Sequence, residues 1–168
     1  TLSQSIDYSM PSDGKRSVLF VCLGNICRSP IAEAVFLEEV KQRGLESRWA
    51  ADSAATFGYH TGKSPEGRAM STLKKFGVTD YKHRARVLHR DDAHDFDFIF
   101  GMDDSNIRDI KDELRGVAGK AVIELLGEYD PQGKKHVPDP YYESGTARFE
   151  EVYHQCVRCV KAFLDKHN

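Results

Sequence analysis

A short run of β-branched and aromatic residues, 18–22, is followed after a brief loop by a segment with helical periodicity, and this pairing strongly constrains the fold. Continuous apolar runs of this length are typical of a strand buried on both faces of a parallel sheet. In the following segment, 30–43, apolar residues recur at three- and four-residue steps, with Pro30 suited to the first helical turn and Gly44 to the stop. We therefore predict a central strand joined directly to a helix.

The same alternation continues to the end of the chain. A three-layer αβα domain with a parallel sheet is the usual result of such an order. Ser64 is the predicted cap of a helix that begins at Pro65 and ends before Gly77. The other predicted elements are strands at 49–53, 96–100 and 121–126, and helices at 106–114 and 149–164.

Composition limits the number of domains and the classes of partner. The 168 residues are 40% hydrophobic and 30% charged, which fits a single domain over 18–168, preceded by a flexible extension at 1–17. The 24 lysine and arginine residues against 26 acidic ones give a net charge of −2, so we expect no nucleic-acid binding. The longest apolar run has six residues, so we expect no membrane span and a soluble, cytoplasmic protein.

The loop between the first strand and the first helix carries the chemistry, because ligands of such folds bind beyond the carboxyl ends of the strands. Cys22 and Arg28 have a C-x5-R spacing and enclose Gly24 and Asn25, the residue types that best tolerate positive φ. A loop that curls in this way at a helix start directs several free N–H groups inward. We therefore predict a phosphate-binding loop.

The residue types in this loop suit nucleophilic catalysis. A cysteine at a helix N-terminus beside an arginine ionises more readily than a free thiol, so Cys22 is the candidate nucleophile. The planar guanidinium of Arg28 matches two oxygens of a phosphoryl group. Ser29 follows directly, and its hydroxyl could stabilise the thiolate before attack and again as it leaves.

Phosphate transfer to a cysteine also requires a proton donor for the leaving group. Asp139 is our candidate, because two prolines stiffen its loop and the neighbouring Tyr141 and Tyr142 could form an aromatic wall for a flat substrate. An aspartate between prolines is more often a turn residue. The competing carboxylates are interpreted as helix caps or surface groups: Asp91, Asp92, Asp103 and Asp104.

These motifs closely resemble the low-molecular-weight protein tyrosine phosphatases. The resemblance extends over nearly all of 18–167, through VLFVCLGNICRSPIAEAVF, DSAAT, FDFIFGMDDSNIRDI, IELLGEYDPQ, DPYY and FEEVYHQCVRCVKAFL. It implies a four-stranded parallel sheet flanked by helices, and hydrolysis of phosphotyrosine proteins and small aryl phosphates to inorganic phosphate through a phosphocysteine, with no metal or cofactor. In this family Cys22 would be the nucleophile, Arg28 the transition-state clamp, and Asp139 the acid that later activates water.

The resemblance also implies roles for residues that are ordinary when taken alone. Ser53 and His83 match a hydrogen-bond network that holds the phosphate loop, although by themselves they suggest a strand-end hydroxyl and a solvated surface histidine. Tyr59 lies in the variable loop that faces the substrate ring, where Tyr141 would also contact it. The substrate-binding residues implied within the phosphate loop are Leu23, Gly24, Asn25, Ile26, Cys27 and Ser29.

The remaining cysteines and tyrosines have alternative interpretations. Cys27 resembles the family's redox partner for Cys22, through a reversible disulfide, but loop packing is an equal alternative. Cys156 and Cys159 suit core filling better than zinc binding. Trp49 is expected to pack in the second strand. The Tyr141–Tyr142 pair resembles the family's regulatory phosphorylation sites, and we expect a monomer or weak self-association.

Three rival functions remain. Arsenate reductase needs further cysteines near the middle of the chain, and none occurs between positions 27 and 156. Protein arginine phosphatase carries a threonine at the position of Ile26, whose branched side chain would favour aryl phosphates instead. A catalytically inactive phosphotyrosine-binding module would lack the nucleophile or the acid, and both Cys22 and Asp139 are present.

Overall fold

The computed structural model describes residues 14–168 as alternating strands and helices. In chain order the strands are β1 (Arg16–Cys22), β2 (Trp49–Ala55), β3 (Phe98–Gly101) and β4 (Val122–Leu125). The helices are α1 (Arg28–Gln42), α2 (Gly67–Lys75), the single-turn α3 (Asp92–Asp95), α4 (Asp104–Glu113) and α5 (Ala147–His167), with a 3₁₀ turn at Leu126–Tyr129. No helix among these residues is long and apolar enough to cross a membrane.

The strands form one parallel sheet in the order β2-β1-β3-β4. β1 is therefore an interior strand, as its continuous apolar run predicts. Phe20 on β1 is in register with Ser53 on β2 and with Phe100 on β3. Because all four strands run in the same direction, the loops that follow β1, β2 and β3 emerge at one edge of the sheet.

Helices cover both faces of the sheet, which confirms the three-layer αβα prediction. On one face, Val18 and Phe20 pack with residues of α1, α2 and α5 in the larger core. Phe163 of α5 joins this core, with its ring 5.3 Å from that of Phe100. On the other face, Leu19 packs in a smaller core that includes Ile110 of α4. The central strand is thus buried on both sides.

The first strand begins earlier than predicted. The Arg16 N–H donates to the Arg48 carbonyl at 2.9 Å, and the Ser17 N–H donates to the Asp97 carboxylate at 2.8 Å. The expectation that the extension reaches residue 17 is therefore wrong, because polar residues that pair with β2 continue the strand beyond its apolar core. The rest of the predicted extension, 1–13, lies outside the described residues.

The predicted start of the second helix is also wrong. α2 begins at Gly67, and its cap is Glu66, whose carboxylate accepts the Arg68 N–H at 2.6 Å. The Glu66 N–H donates to the Ile26 carbonyl at 2.8 Å. Since this bond fixes the chain against the phosphate loop, the helix starts after Glu66, and Ser64 and Pro65 remain in the preceding loop.

Candidate active site

The loop between β1 and α1 adopts the tight curl that its glycine and asparagine predict, with different roles for the two residues. Asn25 has φ of 58° and is the residue in the left-handed region. Gly24 does not have positive φ, so that part of the prediction is wrong. A Cβ at Gly24 would lie 2.9 Å from the His60 ring, so a larger residue there would require the His60 side chain to shift.

The Cys22 thiol lies at the centre of this curl and is 3% exposed. Its Sγ is 3.0 Å from the Ser29 hydroxyl and accepts the Asn25 N–H at 3.3 Å and the Ser29 N–H at 3.5 Å. The N-terminus of α1 points at the same position, since the helix begins at Arg28. These donors favour negative charge on the sulfur and on a phosphoryl group bound above it.

Arg28 is fixed by residues from two distant loops. One guanidinium nitrogen donates to Asp103 at 2.7 Å and to the Val137 carbonyl at 3.1 Å, and the other lies 3.6 Å from Asp139. Burial opposes the charge on Arg28, but the neighbouring Cys22, Asp103 and Asp139 outweigh burial and raise its pKa. The guanidinium is therefore a permanent cation beside the nucleophile.

Asp103 makes a contact with Arg28 that goes beyond the helix-cap or surface role suggested by the sequence. Its carboxylate does cap α4, accepting the Asn106 N–H at 2.9 Å, and it also accepts the bond from Arg28. Burial alone would raise the pKa of Asp103, but the hydrogen bonds from Arg28, Asn106 and Ser105 lower it overall. Its position directly after the carboxyl end of β3, beside β1, is the signal that could have identified it.

Asp139 lies in the pocket of Cys22 and Arg28, as predicted. Its side chain is 29% exposed, and one carboxylate oxygen accepts the Tyr141 N–H at 3.0 Å. Of the competing carboxylates, Asp91, Asp92 and Asp104 do not line this pocket. Asp139 is therefore the pocket carboxylate that is accessible to a bound substrate.

The walls of the pocket combine the phosphate loop with aromatic side chains. Tyr59, Tyr141 and Tyr142, which the sequence predicts as substrate contacts or an aromatic wall, all line it, and the structure adds His60. Tyr59 is 69% exposed and stacks on Phe57, so its ring is available to a flat ligand. The residues that the phosphate loop contributes to the pocket are Cys22, Leu23, Gly24, Ile26, Cys27 and Arg28.

Asn25 connects the loop to the predicted supporting network. Its amide nitrogen donates to Ser29 at 2.8 Å and to Ser53 at 3.0 Å, and its amide oxygen lies 2.8 Å from His83 Nε2. The His83 side chain is only 8% exposed. The network implied by the family resemblance is present, and the expectation of a solvated histidine, drawn from its basic neighbours alone, is wrong.

The network continues into a buried acidic group that the sequence did not identify. The Glu33 carboxylate accepts the Tyr81 hydroxyl at 2.6 Å and the Ser53 hydroxyl at 2.7 Å. Glu33, Asp52 and His83 lie close enough together to hold a metal ion in principle. However, the Glu33 oxygen already accepts two hydrogen bonds, and Asp52 accepts one from Arg86. These contacts join the cluster to the hydrogen-bond network that supports the phosphate loop.

All four cysteines are buried, free thiols. Cys27 lines the pocket of Cys22, and burial raises the pKa of its thiol. Cys156 and Cys159 lie in the larger core, as core filling predicts. Trp49 also packs in that core, with its ring 5.4 Å from that of Phe163.

Comparison with known proteins agrees with this geometry. Residues 17–167 match the model of the family described as low molecular weight phosphotyrosine protein phosphatase. A family member from Gallus gallus is 53% identical over 152 residues, covering 90% of this chain and 95% of the relative. The crystal structure of Primo-1 is 39% identical with a TM-score of 0.83, covering 90% of this chain and 98% of that one.

The crystal structure of a Drosophila arginine phosphatase is also similar. It is 34% identical with a TM-score of 0.83, and the match covers 90% of this chain and 97% of that one. The family model spans nearly all the described residues, and the Gallus gallus relative is identical at more than half of its aligned positions. This chain therefore belongs to the low molecular weight phosphotyrosine protein phosphatase family and is a hydrolase of that class.

Proposed function

We propose that this chain hydrolyses phosphotyrosine in proteins, and small aryl phosphates, with Cys22 as nucleophile, Arg28 as clamp and Asp139 as proton donor. The observation that carries the assignment is the convergence of the three side chains. They line one pocket, with N–H groups directed at the Cys22 sulfur and the Arg28 guanidinium 3.6 Å from Asp139. A nucleophile, a fixed cation and an acid are the groups that phosphoryl transfer to a thiolate requires.

In the first step the Cys22 thiolate attacks phosphorus and the bond from phosphorus to the tyrosine oxygen breaks. The Asp139 carboxylic acid gives its proton to that oxygen as tyrosine leaves. In the second step the Asp139 carboxylate takes a proton from water, and the water oxygen attacks phosphorus. The S–P bond then breaks, which releases inorganic phosphate and restores the thiolate, to which the Ser29 hydroxyl donates.

Both steps build negative charge on the phosphoryl oxygens. The loop N–H groups and the Arg28 guanidinium hold positive charge in place before the reaction, so little reorganisation is needed in the transition state. All the chemical roles are filled by side chains and backbone of the described loops. We therefore propose that the reaction proceeds without a metal ion or cofactor.

The aromatic walls support a preference for aryl substrates. Tyr59 and Tyr141 come from two different loops that line the pocket, where they could contact the substrate ring. Ile26 also lines the pocket, and its aliphatic side chain offers no hydroxyl to orient attack on a phosphorus–nitrogen bond. Phosphoarginine hydrolysis is the second candidate function, because the similar Drosophila structure is named as an arginine phosphatase.

The deciding experiment compares turnover of matched phosphotyrosine, phosphoserine and phosphoarginine peptides without added metal, with the Cys22→Ser variant as control. We expect preference for phosphotyrosine and its complete loss in the variant, which should still bind phosphate because Arg28 and the loop remain. Preference for phosphoarginine would favour the second candidate. Persistent turnover by Cys22→Ser would refute the nucleophile.

The role of Asp139 has its own test. Asp139→Ala should lower kcat by roughly 100- to 10,000-fold for a peptide, because a proton donor is lost. Substrates whose leaving group needs no proton should lose least. An equal loss for all leaving groups would indicate that Asp139 supports the loop rather than donating a proton.

We also propose that Cys22 and Cys27 form a reversible disulfide. A peroxide would oxidise the Cys22 thiolate to a sulfenic acid with release of water or alcohol, and the Cys27 thiol would then displace water to form the disulfide. Cys27 lines the same pocket, which supports this pairing. With excess peroxide, the sulfenic acid of Cys27→Ser is oxidised further to a sulfinic acid, which thiols do not reduce, so a thiol reductant should restore wild-type activity but not that of the variant. Equal recovery would contradict the role of Cys27.

Finally, we propose that the protein acts in the cytoplasm as a monomer or weakly self-associating species. Four free cysteines fit a reducing compartment. Cell fractionation would test the location, and light scattering across a concentration series would test the assembly. Recovery in a secreted fraction, or a stable dimer at low concentration, would overturn the respective statement.

A further inference from the structure

A second groove, with basic walls, lies beside the catalytic pocket. It is formed by the segment 134–138 and one face of α5, and we call it the basic groove. Four lysine or arginine side chains line it against one carboxylate, Glu151, whereas the whole chain carries a net charge of −2. Its basic residues are Lys134, Lys135, His136, Arg148, His154 and Arg158.

These positive charges are not equally available to a ligand. Arg158 is neutralised by the Asp130 carboxylate, with bonds of 2.9 and 3.0 Å, and Arg148 lies 3.4 Å from Glu151. Lys134, in contrast, makes no ion pair within residues 14–168. Lys135 is 65% exposed and lies 3.9 Å from Glu128, which is a weak contact. The adjacent lysines therefore supply the charge that an incoming acidic group would meet.

The segment that carries these lysines is held in place. The Gln155 side chain is 3% exposed and donates from one nitrogen to the carbonyls of Lys134 and His136, each at 3.0 Å. The next carbonyl, that of Val137, accepts the bond from Arg28. Because the backbone is anchored on both sides, the groove keeps a defined position relative to the catalytic arginine.

The groove and the catalytic pocket share this segment as a wall. Pro138 lines the groove, and Asp139, the next residue, lines the catalytic pocket. Consecutive Cα atoms are about 3.8 Å apart, and an extended peptide advances about 3.3–3.6 Å per residue. A substrate with its phosphotyrosine in the pocket could therefore reach the groove within a few residues.

We propose that the basic groove binds an acidic segment of the phosphoprotein substrate, a few residues from the phosphotyrosine. The inference rests on the proposed phosphotyrosine phosphatase activity and adds a preference to it. Exposed lysines attract carboxylates over a distance and strengthen the encounter without touching the reacting atoms. The groove should therefore lower KM for acidic substrates and leave kcat unchanged.

The test measures kcat and KM for three phosphotyrosine peptides of equal length, with neutral flanks, acidic residues before the phosphotyrosine, or acidic residues after it. The variant is Lys134→Gln/Lys135→Gln. The control, Lys41→Gln/Lys120→Gln, removes the same charge outside the groove. We expect the wild type and the control to favour one acidic peptide over the neutral peptide by about 3- to 10-fold in kcat/KM. This preference should decrease as the salt concentration rises. The groove variant should lose this preference.

Turnover of a small aryl phosphate, measured with every protein, distinguishes failure of the proposed activity from failure of the groove proposal. Absence of aryl phosphate turnover in the wild type would contradict the proposed function itself. Intact turnover with equal kcat/KM for all three peptides, or a preference that survives in the groove variant, would overturn the groove proposal alone. Binding of wild-type protein to anionic vesicles or an RNA oligonucleotide, lost in the groove variant without any peptide preference, would also overturn it.

Discussion

Replacing Asp103 with asparagine tests whether the ion pair behind the catalytic arginine positions it for catalysis. Asparagine keeps the shape of the side chain and can still cap α4, since aspartate and asparagine are similarly favourable at that position. What the substitution removes is the negative charge 2.7 Å from Arg28. Arg28 then keeps its bond to the Val137 carbonyl and the more distant Asp139.

The expected loss of stability follows from the burial of the Arg28–Asp103 ion pair. Arg28 is 3% exposed and the Asp103 side chain is 31% exposed, so water screens the pair only partly. Two charges about 4 Å apart attract by about 4 kcal/mol at an effective dielectric constant of about 20. A hydrogen bond to a charged group contributes about 1.5–3 kcal/mol net. Because asparagine retains a weaker bond, we expect the free energy of unfolding to decrease by about 1–2 kcal/mol.

The assay combines urea unfolding with steady-state kinetics on an aryl phosphate. We expect kcat to fall on the order of 10- to 100-fold, because a guanidinium displaced by a fraction of an ångström no longer matches the phosphoryl oxygens. Asp103→Ala should lose about a further 1 kcal/mol of stability through the missing cap, with little additional loss of kcat. The difference between the two variants separates capping from positioning.

The stability that the Arg28–Asp103 pair contributes should decrease at acidic pH. The folded-state pKa of Asp103 is depressed, so the stability from the pair is fully present above the ordinary aspartate pKa of 3.8 and is lost as pH falls through the folded value. The stability difference between wild type and Asp103→Asn should therefore vanish at strongly acidic pH. Unchanged unfolding energy and kcat at neutral pH would refute the positioning role.

Three further substitutions test supporting contacts. Gly24→Ala should raise KM a few-fold because the new Cβ would lie 2.9 Å from the His60 ring, with little change in the free energy of unfolding in urea. The double variant Gly24→Ala/His60→Ala should recover the wild-type KM. The Arg68 guanidinium donates to three backbone carbonyls of the loop 141–145. Arg68→Ala should therefore speed proteolysis in this loop and lower kcat/KM about tenfold. Arg68→Lys should show the same losses, since an ammonium group cannot reach all three carbonyls. Ser53→Ala should lower the unfolding free energy by about 1–3 kcal/mol in urea, because it leaves a buried network incomplete.

The central motif could be predicted from the sequence because its determinants are local. The apolar run before Cys22, the asparagine at positive φ and the arginine that starts α1 all lie within one short segment. Asp139 was less certain, since an aspartate between prolines is an ordinary turn. It is selected because two prolines stiffen its loop beside Tyr141 and Tyr142, the resemblance to a family implies the same role, and its position in the pocket supports that choice.

His83 shows why a local pattern can mislead. Its neighbours, Lys82 and Arg84, suggest a solvated surface, yet the imidazole is nearly buried against Ser53 and Asn25. The contacts that bury it come from residues 30 and 58 positions away in sequence. No periodicity or composition signal in one segment can report such a contact, because it depends on how two loops meet.

Asp103 was missed for a different reason: its cap role is correct but incomplete. The residue follows β3 and lies 75 positions from Arg28, so the ion pair depends on β3 being the neighbour of β1. In a parallel sheet, the residues that follow adjacent strands emerge side by side. Once the order β2-β1-β3-β4 is known, the carboxylate after β3 is the natural partner of a cation after β1. The ion pair that positions Arg28 therefore depends on the order of the strands, whereas the position of the Cys22 nucleophile depends on the local sequence.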